Sequence, residues 1–129
     1  MAGTAYLASR MVVTDLGSAQ PMSTDFTVTS IDEISYQYQE LATVTAVAID
    51  VGQINEVNAI FIKLITGGTT KALGLDIDLS TATFAAADMT LVQGQAIVIL
   101  PIADATTFSV YNNSTATCVF EYAVVGQNS

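Results

Sequence analysis

The sequence predicts an all-β fold: an antiparallel β-sandwich, jelly-roll-like, with eight or nine short strands in a single domain spanning residues 1–129. Three observations carry this. Apolar and polar residues alternate with a period of two, the spacing of a strand that buries one face. Clusters of Gly, Asn, Asp, Pro and Thr interrupt the alternation roughly every ten residues, the turn spacing of sandwiches and barrels. The large apolar residues are mostly Val, Ile and Leu, with only 8% aromatics, and β-branched side chains fit a pleated surface while losing χ1 freedom in a helix. A chain of this size removes roughly two thirds of its unfolded surface from water, enough for one core. Strand spacing does not encode strand order, so an immunoglobulin-like connection stays open beside the jelly-roll.

Residues 6–13 predict a first strand, and 15–25, holding Gly17 and Pro21, a connecting arm or loop; residues 1–25 together form a candidate N-terminal arm. Residues 33–41 alternate cleanly, with Ile34, Tyr36 and Tyr38 on one face and Ser35, Gln37 and Gln39 on the other, as in a half-buried antiparallel strand. Residues 43–51 follow with Val47, Ile49 and Val51 aligned, then a turn at Gly52-Gln53. Residues 57–65 are apolar enough to be a central strand or one buried on both faces. Gly67-Gly68 reads as a hairpin signal, since glycine accepts the positive φ of tight β-turns, with 71–79 as the partner strand. Residues 80–88 read as a loop or one short helical turn. Strands at 89–92 and 96–102 flank a turn at Gln93-Gly94, and Pro101 ends the second or confines it to an edge. Strands at 107–111 and 116–125 are joined by Asn112-Asn113-Ser114-Thr115, which suits a hairpin turn.

Charge narrows the function classes. Three cations, Arg10, Lys63 and Lys71, stand against twelve acidic residues, for a net charge of −9, and histidine and tryptophan are absent. Phosphate backbones need clustered Lys or Arg, so neither nucleic acid nor an anionic membrane is an expected partner. The commonest general base and metal ligand are missing, so no enzyme, no cofactor and no catalytic or metal residues are expected. The longest uncharged apolar run, near residues 96–103, contains Pro101 and falls far short of the roughly twenty residues of a spanning helix. The first ten residues do not form a convincing signal peptide, so synthesis in the cytoplasm is expected.

Asp76 and Asp78, two apart on a strand, point the same way and resemble part of a calcium site, but lack the EF-hand spacing; a solvated strand face is the preferred reading. Carboxylate pairs for glycoside hydrolysis are not singled out by any pattern. Cys118 lies in an apolar run without a neighbouring base, so it reads as a core thiol. Tyr6, Tyr36, Tyr38, Tyr111 and Tyr122 are candidates for a sugar or protein platform, against the simpler reading that tyrosine is a favoured strand residue. Asn112-Asn113-Ser114-Thr115 matches the glycosylation acceptor pattern twice, and reads rather as a polar turn. Gly67-Gly68-Thr69-Thr70 lacks the pattern of a phosphate loop.

Four stretches, Val-Asn-Ala-Ile-Phe-Ile-Lys at 57–63, Leu-Val-Gln-Gly-Gln-Ala-Ile-Val-Ile-Leu-Pro at 91–101, Phe-Ser-Val-Tyr-Asn-Asn at 108–113 and Val-Phe-Glu-Tyr-Ala-Val-Val-Gly at 119–126, resemble the small β-sandwich capsid decoration, or cement, proteins of tailed bacteriophages. The resemblance is one of style over residues 55–126 and transfers no functional residue. It implies a virion structural protein without an active site, commonly a homotrimer, placed on the outer capsid surface where it clamps the major capsid protein. A tail or fibre component and a carbohydrate-binding β module are the competing classes.

Overall fold

A computed structural model describes residues 3–13, 20–70, 72–76, 89–99 and 108–128, and among these there is no helix. Ten strands follow in chain order: β1 Gly3–Val13, β2 Gln20–Ile31, β3 Glu33–Leu41, β4 Ala46–Ala48, β5 Glu56–Thr66, β6 Leu73–Asp76, β7 Met89–Leu91, β8 Ala96–Ile99, β9 Ser109–Asn112 and β10 Cys118–Gln127. β1 and β2 form a separate two-stranded hairpin; the other eight make two four-stranded sheets, ordered β3-β10-β5-β8 and β4-β9-β6-β7.

The order settles the connection. β3 pairs with β10, β4 with β9, β5 with β8 and β6 with β7, all antiparallel. That is one long ribbon doubled back on itself and rolled up, with β10 against β5 and β9 against β6 closing each sheet. The domain is a jelly-roll, two Greek keys in two facing sheets.

The core lies between the sheets. In β10, Cys118, Phe120, Tyr122 and Val124 point inward and are buried, alternating with half-exposed neighbours. Ile60, Ile62 and Leu64 of β5 meet Leu73 and Leu75 of β6 and Phe108 and Val110 beside them, all fully buried. Phe120 and Tyr122 stack with ring centroids 5.9 Å apart. Truncating one such aromatic to Ala costs about 3–5 kcal/mol, the transfer term plus the cavity left behind.

Two turn assignments are corrected. Gly67-Gly68 does not close a hairpin: β5 and β6 belong to opposite sheets, and among the described residues the positive-φ glycines are Gly52 and Gly94. The pair serves by its small size, since a Cβ on Gly67 would crowd Cys118 and one on Gly68 would press on Ala72 and Ser114. Likewise the Asn112–Thr115 segment links β9 to β10 across the sandwich, not along one sheet. Asn112 ends β9 fully buried; its Nδ2 donates to the carbonyls of Leu41 and Ala116, both at 2.9 Å, and its Oδ1 accepts from the N and Oγ of Ser114 at 2.9 and 2.7 Å. A hairpin and a sheet-crossing corner use the same turn residues, so spacing alone cannot tell them apart.

The N-terminal arm is also redrawn. The strand begins at Gly3, earlier than predicted, and residues 20–25, assigned to a loop, belong to β2, which continues to Ile31. Residues 14–19, 77–88 and 100–107, which include the expected soft stretch at 80–88 and Pro101, lie outside the described residues. β8, the strand preceding Pro101, is an edge strand.

Candidate interaction surface

β3 places its faces in an unusual way. Register sets Gln37 opposite Tyr122 and Gln39 opposite Phe120, so the polar row shares the core side of the sheet, while Tyr36 lies opposite Ala123 and faces out. Ile34, Tyr36 and Tyr38 are accordingly 64, 57 and 61% exposed. The inner side closes by hydrogen bonds instead of apolar packing: Ser35 Oγ donates to the Asp50 carbonyl at 3.0 Å, and Asp50 N donates to Tyr122 Oη at 3.0 Å. Burial pushes the Tyr122 phenol up, and the Asp50 N–H pulls partly against that shift.

The outer face continues apolar across the sheet. Val125 and Ala123 of β10 lie beside Ala59 and Phe61 of β5, and Phe61 lies opposite Val98 of β8. Beyond Tyr36 and Tyr38 the same face carries Glu121 opposite Lys63. Tyr36 Oη donates to Glu121 Oε2 at 2.6 Å, fixing the ring, and this hydrogen bond raises the Tyr36 pKa.

The β1–β2 hairpin covers part of this face. Ser30, at φ 63, kinks the chain between β2 and β3 and redirects the hairpin. Clefts of about 350 and 370 Å³ mark its path: Ala5 to Ala8 line the first with Ala59, Phe61, Val98, Ala123 and Val125, and Ala8 to Arg10 line the second with Phe61 and Ala96 to Val98. β1 therefore runs from β10 across β5 to the β8 edge. Ala59, although it faces outward, is only 2% exposed beneath it. Ala5 and Leu7, opposite Val28 and Phe26, form the half-buried side of the hairpin.

Of the five tyrosines, Tyr122 is core and Tyr111 half-buried, whereas Tyr6 is 82% exposed on the hairpin and Tyr36 and Tyr38 stand side by side. Cys118 is a buried free thiol whose pKa burial raises. Asp76 closes β6, but its side chain, like Asp78 and Lys71, lies outside the described residues. Among the described residues no three of His, Cys, Asp and Glu gather as a metal site. Asn112 is enclosed by its own bonds and offers no acceptor for a glycan in the folded chain, while Asn113 is exposed. The outward apolar row was readable as a row but not as an outer face, because its neighbour β10 carries Val119, Ala123 and Val125 on one side and Phe120, Tyr122 and Val124 on the other, so apolar residues alone do not mark which side of β3 meets the core. No family model, curated protein or solved structure matches this chain.

Proposed function

We propose that this chain is a non-enzymatic virion structural protein, a capsid decoration protein that binds the outer face of a phage head and reinforces it through the major capsid protein. The observation that carries the reading is the apolar outer face of the β3-β10-β5-β8 sheet, half covered by a hairpin arm and half open. Contiguous apolar surface of this kind is where proteins meet one another, and a rolled sandwich with a centrally packed core gives it a rigid backing. The resemblance noted for residues 55–126 supplies the virion setting, and a charge of −9 suits a position away from packaged DNA.

Cryo-electron microscopy of particles assembled with and without this chain tests the proposal. Density lost from the outer capsid surface is expected; density lost only from the tail would replace decoration with a tail or fibre role, and unchanged particles would remove the virion assignment. The exposed pair Tyr36 and Tyr38 gives the carbohydrate-binding alternative its one supporting observation, and a glycan array without binding would dismiss it.

A further inference from the structure

We infer that the hairpin arm of one copy covers the open outer face of β3 in a second copy, head to tail. Two half-used surfaces lead there. On the hairpin, the side seated on the sheet through Leu7 and Phe26 passes the polar pair Ser9 and Thr24 and turns apolar again at Met11 opposite Met22. These two lie past the β8 edge, in a groove lined only by hairpin residues, and are 52 and 56% exposed. On the sheet, the apolar face beneath the arm continues through Ile34, beside the root of the hairpin, to Tyr36 and Tyr38, all three more than half exposed.

The interface the chain makes with itself thus already joins this side of the hairpin to this side of the sheet, and both partners extend beyond it. The overhanging hairpin leaves at the β8 edge, and the uncovered row lies on β3, the opposite edge of the same sheet. One molecule cannot bring its own two halves together, because the seated half of the arm separates them. A neighbour set side by side can, and the contact is heterologous, so its repetition closes a ring or runs on as an open filament. Charge does not oppose the contact: residues 9–13 and 20–24 contain no acid, whereas the open row is flanked by Glu40 and Glu121. A two-stranded ribbon is marginal alone in water, which gives the overhang a further reason to find a partner.

The inference deepens the reading of this surface as an interface and rests on that reading, not on the virion assignment, so the purified full-length chain tests it separately from any particle. Met22→Cys and Tyr38→Cys are prepared singly, and circular dichroism confirms that each keeps the fold. Under mild oxidation the mixture of the two variants is expected to give a two-chain disulfide product at least tenfold above either variant alone. A product formed equally by one variant alone would replace the head-to-tail contact with a symmetric one. No product from the mixture, with native chain monomeric by light scattering or oligomeric all the same, would overturn the inference. Native Cys118 is buried and supplies the background measured on the unsubstituted chain.

Discussion

Asn112→Ala removes a fully buried side-chain amide that, alone among the described residues, ties the two sheets and both neighbouring loops. Asn112 belongs to β9, yet its Nδ2 donates to Leu41 at the end of β3 and to Ala116 before β10, and its Oδ1 holds the N and Oγ of Ser114. Its backbone N donates to the Thr45 carbonyl at 3.0 Å and its carbonyl accepts from Val44 N at 2.9 Å, so the position also anchors the β3–β4 corner. Each side-chain bond contributes about 1 kcal/mol net, and a buried partner left unpaired costs about 1–3 kcal/mol. The Ser114 and Ala116 groups are close enough to solvent to recover water, whereas the bond to Leu41 is buried. The sum for Asn112→Ala is about 3–4 kcal/mol, a drop in Tm of roughly 10–15 °C for a domain of this size. Urea unfolding followed by far-ultraviolet circular dichroism measures it, with an unchanged m-value expected because the surface exposed on unfolding is the same. Asn112→Asp, which keeps the shape but loses both donors, should destabilise at least as much at neutral pH. A loss below about 1 kcal/mol for both variants would refute the claim that this network holds the corners of the roll.

Three further outcomes are expected. Gly126→Ala should cost about 1–3 kcal/mol or more, because the new Cβ would fall inside the contact radius of the Glu56 carbonyl oxygen and crowd Ile54; a melting temperature equal to the parent's would contradict it. Val44→Asn should raise stability by about 1 kcal/mol in thermal melts, since Val44 holds φ 56, a region costly for a β-branched residue, while its side chain is 71% exposed and contributes little packing. Folding raises the pKa of Cys118 and Tyr122 above their unfolded values, so it favours their protonated forms; stability should be level through neutral pH and fall as pH climbs past the ordinary thiol pKa of about 8.5 and then the phenol's of about 10. Melts between neutral pH and the phenol range check this, and a Tm that rose with pH would contradict the assigned burial.

The strands were legible because alternation and turn residues are local signals. Residues 33–41 were predicted as the strand that β3 is, and β5 was predicted as central from its largely apolar run, which the buried Ala59 under the hairpin explains. Partners were not legible, because a turn residue permits a corner without saying where the next strand goes; Gly67-Gly68 and Asn112–Thr115 carry hairpin chemistry yet lead to the opposite sheet. Facing was hidden for a related reason. The core side of β3 is satisfied by Ser35 bonding to Asp50, a contact fifteen residues away in sequence, so its polar row is the inner one and hydropathy points the wrong way. The extent of the arm was obscured by Pro21, which suits a loop but also the hydrogen-bond-free side of a two-stranded ribbon.

Light scattering on the purified chain and on the Tyr36→Lys/Tyr38→Lys double variant tests most directly whether this protein works through its open sheet face. Both side chains are more than half exposed, so the variant should keep the parent's thermal stability. The parent is expected to be oligomeric at micromolar concentration and the variant monomeric with an unshifted Tm. A parent that is monomeric, or a variant of unchanged mass, would contradict it.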